Sequence, residues 1–375
     1  MKILFTGGGS GGHFYPIIAI AESIKKIAEK KHLVSPVLYF AAPSAYDPHL
    51  LSEHKIIFKK SYAGKARRYF SILNFIDLFK TGWGIVKSLG MVFAIYPDVV
   101  FGKGGFGSFP TLLAARILRI PVIIHESDSV PGRVNKWASK FAKRIAISWV
   151  EAGEHFPKEK TAYTGQPVRK EFENSLKEGA REFLNLEENT PIIFVLGGSL
   201  GSQIINDVLI SALPELLAKF EVIHQTGKNN FDEITEMAGV ILENNPNKSR
   251  YHPFDYLNNL GLRMSAGASN LIVSRAGSTI FEIASWGKPS IIIPITDSNG
   301  DHQRKNAFNY ERSGACAVIE ETNLTSNILA SEINRILGNG AEIERMSQAA
   351  KNFSKRDAAD KIAEEIISIA LEHER

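Results

Sequence analysis

Two glycine-rich loops hold the residue types best suited to chemistry, and the chemistry they suit is phosphate binding. The first, Thr6-Gly7-Gly8-Gly9-Ser10-Gly11-Gly12-His13, follows an apolar run at 2–5 and precedes a helical pattern. Ile17, Ile18, Ile20, Ala21, Ile24 and Ile27 form one broad face of that helix. The second, Gly197-Gly198-Ser199-Leu200-Gly201-Ser202, lies between a continuous apolar run at 191–196 and a pattern carrying Ile204, Ile205, Val208 and Leu209. A glycine loop between strand and helix lets backbone N–H groups approach an anion at the helix N-terminus, where the dipole also favours negative charge.

Each loop admits rival readings. Gly7, Gly9 and Gly12 have dinucleotide spacing, but that reading needs an acid closing the second strand to hold a ribose. Here the strand ends Tyr39-Phe40-Ala41-Ala42, which disfavours a nicotinamide or flavin enzyme. No Lys-Ser/Thr pair follows either loop, which disfavours a P-loop nucleotidase. Gly197-Gly198-Ser199-Leu200-Gly201 matches a hydrolase nucleophile elbow, with Asp255 and His302 downstream as nominal partners. That elbow would open a second domain instead of sitting mid-sheet, and the glycine–histidine loop would have no task. A serine hydrolase is disfavoured on both counts.

The elements that position these loops are two strand–loop–helix units about 190 residues apart, the first βα unit of each of two similar domains. Short apolar runs at 37–40, 99–101, 122–125, 221–224, 271–273 and 290–293 continue an alternation with helical segments. Such alternation argues for parallel sheets covered on both faces. The turn-rich Thr164-Gly165-Gln166-Pro167 marks the boundary, giving domains at 1–168 and 169–354, with a C-terminal helix near 355–375 expected to cross back to the first.

The 375 residues, 44% hydrophobic and 22% charged, suit two folded domains. The lone Cys316 excludes an internal disulfide. Only three apolar residues separate Lys2 from Thr6, too few for a signal-peptide core, and the apolar stretch 83–101 is broken by Lys87, Pro97 and Asp98, so a cytoplasmic protein is expected. The net charge of +4 conceals an asymmetry: residues 1–168 carry 23 Lys/Arg against 11 Asp/Glu, and 169–375 carry 21 against 29. The first half is thus expected to face anions, whether nucleic acid, lipid or phosphorylated substrate, or simply to expose solvated basic faces.

Taken in order, the motifs resemble one family closely. Gly8-Gly9-Ser10-Gly11-Gly12-His13, Gly102-Lys103-Gly104-Gly105-Phe106-Gly107-Ser108-Phe109-Pro110 and His125-Glu126-Ser127-Asp128-Ser129-Val130-Pro131-Gly132 come first. Thr164-Gly165-Gln166-Pro167-Val168-Arg169, the second glycine loop and His224-Gln225-Thr226-Gly227 follow. Ser274-Arg275-Ala276-Gly277 leading to Glu282, and Asp301-His302-Gln303 leading to Asn306-Ala307, complete the series. The sequence resembles the MurG-type transferases of glycosyltransferase family 28, which add N-acetylglucosamine to lipid I to give lipid II for peptidoglycan synthesis. The resemblance implies a GT-B fold: α/β, with two Rossmann-like doubly wound domains facing across a cleft. The first domain would bind the lipid-linked acceptor and membrane, the second UDP-N-acetylglucosamine.

Inverting transfer needs a proton acceptor for the attacking hydroxyl and stabilisation of the departing diphosphate. No Asp-x-Asp pair occurs, so metal-free stabilisation by loop amides, Ser199 and Arg169 is expected, with no cofactor. His13 is the candidate base, its ordinary pKa being near 6.5; the alternative is that it only caps the helix or positions the acceptor. For the donor, the resemblance places Ser10, Gly11 and Gly12 beside the sugar and phosphates, Arg169 and Ser199 at the diphosphate, and Asp128 where it could accept from a sugar hydroxyl. It places the Phe254 backbone, Ser278, Thr279 and Ile280 at uracil and ribose, Glu282 on the ribose hydroxyls and Gln303 on the sugar. Two departures stand out: Asp128 replaces the family's usual Asn, and the stretch from Gly277 to Glu282 is one residue shorter than the common form.

Residues 59–87 carry seven basic side chains, Lys59, Lys60, Lys65, Arg67, Arg68, Lys80 and Lys87, against one acid, Asp77. Tyr69, Phe70, Ile72, Leu73, Phe75, Ile76, Leu78, Phe79, Trp83, Ile85 and Val86 are interleaved. This composition suits a segment in the headgroup layer of an anionic membrane, and the expected location is peripheral, on the cytoplasmic face of the bacterial cell membrane. No nucleic-acid motif accompanies the basic face. A related transferase with another lipid acceptor, or a decayed sugar-nucleotide-binding scaffold, are the competing functions.

Overall fold

The computed structural model describes residues 1–64, 72–198, 201–296 and 298–373, without the side chains of 72–76, 78 and 299. The chain divides into two compact units, Met1–Arg169 with Lys355–Arg375, and Lys170–Ser354. Arg169, expected to open the second domain, belongs to the first.

Unit one is built on seven parallel strands: β1 (Lys2–Thr6), β2 (Val37–Ala42), β3 (Ile56–Lys60), β4 (Val99–Gly102), β5 (Val122–Glu126), β6 (Arg144–Ile147) and β7 (Thr161–Tyr163). Their order is β3-β2-β1-β4-β5-β6-β7. β1 and β4 are buried on both faces, as the runs of Ile, Leu, Val and Phe require of a parallel sheet with covered faces. The helix Gly11–Lys30 packs against the C-terminal helix Ala358–His373. Ile17, Ile20 and Ile24 share a core with Ile362, Ile366 and Ile369, so the last helix is part of the first unit's interior.

Unit two contains β8 (Ile192–Leu196), β9 (Glu221–Gln225), β10 (Tyr251–Phe254), β11 (Leu271–Ser274), β12 (Ser290–Ile292) and β13 (Cys316–Val318), all parallel, in the order β10-β9-β8-β11-β12-β13. Each sheet reverses direction of growth at one place, between β1 and β4 in unit one and between β8 and β11 in unit two. Open α/β sheets bind ligands outside the carboxyl ends of the strands at such a switch point. Both glycine loops leave those ends.

The basic segment 59–87 is not one element. Lys59 and Lys60 lie in β3, and a helix spans Ile72–Ile95. Lys65, Arg67, Arg68, Tyr69 and Phe70 lie outside the described residues.

Candidate active site

At the switch point of unit one, two loops meet. A Cβ placed on Gly105 would lie 3.2 Å from His13 Nε2 and 3.1 Å from the Gly8 Cα, so the β4 loop approaches the β1 loop closely only because glycine stands there. Gly105 also has φ +77°, which L side chains adopt at a penalty. The partly exposed His13 sits in the first turn of the helix Gly11–Lys30, with Nδ1 2.8 Å from Ser10 Oγ. Ser10 is the helix N-cap, but its hydroxyl makes no capping bond and instead addresses this ring. The first N–H groups of that helix have no intrahelical acceptor, which suits Gly11 and Gly12 to an anion.

The surroundings of His13 push its pKa down to about 4, first by desolvation, then by the Lys103 cation; Asp128 acts in the opposite direction. The imidazole is therefore neutral at neutral pH, the form a proton acceptor needs. Glu126, at the end of β5, organises the next loop. Its carboxylate accepts from Asp128 N at 3.1 Å, Gly132 N at 3.0 Å and Asn135 Nδ2 at 2.9 Å. Burial and the neighbouring Asp128 nevertheless raise its pKa to about 7, against the Asn135 and Asp128 N–H donors and the Lys103 charge. Lys103 itself is buried, donates from Nζ to Ser127 Oγ, and is depressed by desolvation to about 8, with Glu126 and Asp128 pulling it back up. His125 is held by the Gly165 carbonyl and Ser148 hydroxyl, and burial keeps it neutral.

Arg169 is buried in this same unit, its guanidinium 4.1 Å from the Tyr15 ring centroid. Tyr15 and Tyr46 meet edge to face, and a Cβ on Gly11 would come within about 3.1 Å of both, so the two rings wall the loop.

In unit two the glycine loop is a backbone device. Gly198 and Gly201 take φ of +93° and +78°, and a side chain on Gly201 would run into the Thr226 carbonyl oxygen. The loop leads into the helix Gln203–Leu216. Ser199 lies outside the described residues. The Phe254 carbonyl is occupied by two donors from Thr226, N at 2.9 Å and Oγ1 at 3.2 Å. Ser278 stands at the N-cap position of the helix Thr279–Trp286 without a capping bond from its side chain, and the first turn of that helix carries the half-buried Glu282. Ile280 is fully buried and its N–H donates to the Gly277 carbonyl, so neither its side chain nor its amide can meet a ligand. Gln303, in the first turn of the helix His302–Arg312, accepts at Oε1 from Ile295 N, which turns its amide group toward the β12 end.

The hydrolase arrangement is not assembled. Asp255 follows β10 and His302 follows the β12 segment, four strands across the sheet. At the usual strand spacing that separation is about 19 Å.

Residues 3–147 match the profile described as the glycosyltransferase family 28 N-terminal domain, and residues 192–362 match the family 28 C-terminal domain. The chain belongs to glycosyltransferase family 28. It is 36% identical over 368 residues, 97% of its own length and 99% of the relative's, to a Bacillus thuringiensis UDP-N-acetylglucosamine--N-acetylmuramyl-(pentapeptide) pyrophosphoryl-undecaprenol N-acetylglucosamine transferase. A Treponema denticola enzyme of that name is 36% identical over 377 residues, covering 95% of this chain and 93% of the relative. Among solved structures, Acinetobacter baumannii MurG aligns with a TM-score of 0.75 and 23% identity over 98% of this chain and 99% of its own. A Neisseria meningitidis UDP-GlcNAc 2-epimerase bound to UDP-GlcNAc aligns at 0.68 and 15%, over 98% of this chain and 100% of that one. The fold of this family 28 chain is GT-B, two parallel-sheet α/β units.

Sequence reading did not single out Lys103 or the Tyr15–Tyr46 wall. A lysine between two glycines at the end of a buried strand was the signal for the first.

Proposed function

We propose that this chain transfers N-acetylglucosamine from UDP-N-acetylglucosamine to the 4-hydroxyl of the MurNAc residue in undecaprenyl-diphosphate-linked MurNAc-pentapeptide, with inversion, producing lipid II for peptidoglycan. The observation that carries the reading is 36% identity along almost the whole of both chains to transferases of that printed name. Unit one is the acceptor side and supplies the proton acceptor. With Nδ1–H donating to Ser10 Oγ, the His13 lone pair stands on Nε2, at the edge facing the Gly105 backbone. The acceptor's own diphosphate brings negative charge to the Gly11 and Gly12 amides and raises the proton affinity of the ring toward its working range.

Unit two is the donor side and binds through backbone and neutral groups. The Gly197–Gly201 loop and the N-terminus of the helix Gln203–Leu216 face the diphosphate, with Ser199; Ser278, Thr279 and Glu282 serve uracil and ribose, and Gln303 the sugar. Departure of UDP is stabilised by these donors without a metal.

Membrane contact is made by the helix Ile72–Ile95. Phe79, Trp83, Val86 and Phe93 are 71%, 57%, 61% and 68% exposed at helical spacing, with Lys80 and Lys87 among them. Among the described residues no helix is long and apolar enough to cross a membrane. The enzyme is peripheral, on the cytoplasmic face.

The decisive experiment incubates purified protein with UDP-N-acetylglucosamine and lipid I in the presence of chelator and follows lipid II. Product formed only with a different lipid acceptor replaces the acceptor assignment; donor binding without transfer to any acceptor replaces the enzyme with a scaffold. Loss of activity in chelator, restored by manganese or magnesium, removes the metal-free mechanism. For the membrane arm, Phe79→Ser with Trp83→Ser weakens binding to anionic vesicles while the melting temperature holds; unchanged binding removes that helix from the surface.

A further inference from the structure

One buried cation stands in the acceptor side and has no part in the steps above. Lys103 is 2% exposed and follows β4 directly. Its backbone N–H donates to the Thr6 carbonyl at 2.8 Å, tying the β4 loop to the end of β1. From there its side chain runs past Gly7. A Cβ on Gly7 would lie 3.5 Å from Lys103 Cβ and 3.4 Å from His13 Cβ, so the lysine and the histidine flank a single glycine that separates them by little more than its own backbone. At its far end the ammonium donates to Ser127 Oγ, inside the loop that Glu126 organises through three N–H donors. That loop is further pinned by Trp149, whose Nε1 donates to the Ser127 carbonyl at 2.8 Å.

A buried ammonium without a counter-charge is expensive, and so is a buried carboxylate. Two carboxylates, Glu126 and Asp128, surround this one cation. Asparagine at 128 would leave one. Position 128, where the family resemblance leads one to expect asparagine, is therefore electrically linked to the lysine.

We propose that Lys103 is a positioning residue: its buried ammonium fixes the Ser127–Asp128 turn and supplies the cation beside which a carboxylate at 128 can stand near His13. The charged groups that act on the His13 ring are Lys103, from the end of β4, and Asp128, from the loop after β5, and they act in opposite directions. Lys103 also faces His125 and Glu126. With both members present, His13 stays neutral and the turn stays fixed. Removing one unbalances the ring and the turn together; removing both restores the balance.

The proposal is testable without turnover. His13 is followed by its imidazole NMR signal during a pH titration of the free protein, in the native chain, in Lys103→Gln, in Asp128→Asn and in the double variant. Glutamine keeps a donor for Ser127 while deleting the charge. The His13 midpoint rises in Lys103→Gln, falls in Asp128→Asn, and returns toward the native value in the double variant. A midpoint that stays in place in Lys103→Gln, or a double variant that shifts as far as Lys103→Gln alone, overturns it. If Lys103→Gln does not fold, Asp128→Asn is read by itself, and an unmoved or raised midpoint overturns the proposal.

The kinetic arm rests on the transferase reading. The acidic limb of the kcat profile moves to higher pH in Lys103→Gln, by the same amount as the His13 midpoint, and the KM for lipid acceptor rises several-fold. If the native chain forms no lipid product, the transferase reading has failed while the titration still decides Lys103. If product forms and the acidic limb ignores both substitutions, the linkage of Lys103 to the reaction has failed.

Discussion

The two units place a glycine loop at the same topological position and surround it with opposite chemistry. In unit one the loop borders four ionisable side chains, His13, Lys103, Glu126 and Asp128, of which Lys103, Glu126 and Asp128 act electrostatically on others of the group and His13 is acted on by Lys103 and Asp128. In unit two, three of the described polar side chains near the loop are neutral or paired. His224 is locked between Tyr251 Oη at 2.9 Å and Asn206 Oδ1 at 3.0 Å. Gln225 is spent on Gly198 and Leu257. Arg275 pairs with Glu321 and donates to Ser202 Oγ at 2.6 Å and to the Ile293 carbonyl. On the proposed reading, one scaffold carries proton chemistry in one copy and a cradle of amides in the other, and the difference lies in the loops that follow the strands rather than in the sheets.

If that division holds, the largest effect comes from the acid–base side. His13→Ala lowers turnover by about 10²-fold or more, the usual scale for a general base, while affinity for UDP-N-acetylglucosamine stays within a few-fold. Steady-state kinetics beside calorimetry separates the two. Near-native turnover would return His13 to a helix-capping role and move the proton acceptor elsewhere.

The converse break is Gly201→Ala. It forces a side chain onto φ +78° and against the Thr226 carbonyl, so the loop must open. Strain of this kind is worth about 1–3 kcal/mol, which corresponds to roughly 5- to 150-fold in donor affinity. Calorimetric titration with UDP measures it, and lipid acceptor binding serves as the control that remains unchanged. Unaltered UDP affinity in a folded variant would mean that the backbone of this loop does not hold the diphosphate.

How much of this was legible beforehand follows the same line between sheets and loops. The strands that the sequence announces, β1, β2, β4, β5, β8, β9, β11 and β12, are interior to their sheets. Those with no such announcement include all four edges. β3 ends in two lysines, β7 has three residues, β10 contains Pro253, and β13 is short. Edge strands bury less and tolerate proline and charge, so the pattern thins where the sheet stops. Of the candidate site, the glycines and His13 were visible in the sequence, because backbone geometry and imidazole chemistry restrict those positions. Lys103 was not, since a lysine in a sequence reads as solvated until the fold buries it. Ile280 failed for the opposite reason: a position inferred from a loop register proved to face the core.

A third test uses pH. Burial holds His224 down to about 3. An imidazole depressed in the folded state binds fewer protons there than when unfolded, so stability is fully present above pH 6.5 and is lost as pH falls toward the folded value. The slope is about 1.4 kcal/mol per pH unit for one group, or about tenfold in amide protection. In unit one the depressed His125 and His13 act in the same sense, but Glu126 opposes them: its raised pKa makes the folded state the better proton binder between pH 4.5 and about 7. Hydrogen exchange of β8 and β9 between pH 7 and 5 therefore shows protection falling about tenfold per unit below 6.5, and a flat response would mean that His224 is not buried in its neutral form.

The smallest effect is expected at Asp128, and for a reason internal to unit one. Replacing its carboxylate by an amide removes one negative charge, yet that charge is not seen alone from outside. The Asp128 carboxylate acts on the buried Lys103 ammonium, and a cation and an anion near one another project a field far weaker than either alone. Unpaired, a unit charge acting on another about 8 Å away at an effective dielectric near 20 is worth roughly 2 kcal/mol, or about thirtyfold. Paired, only a fraction of that survives. On the proposed reading, donor binding rests on the amides and hydroxyls of unit two, so Asp128→Asn changes affinity for UDP-N-acetylglucosamine by less than about tenfold, measured by calorimetry at low ionic strength, where any residual field is largest. A larger gain on substitution would show an exposed, uncompensated carboxylate and undo the pairing with Lys103. Failure of the native chain to bind donor, with rescue by asparagine, would undo the active transferase and leave the cradle of unit two without a reaction to serve.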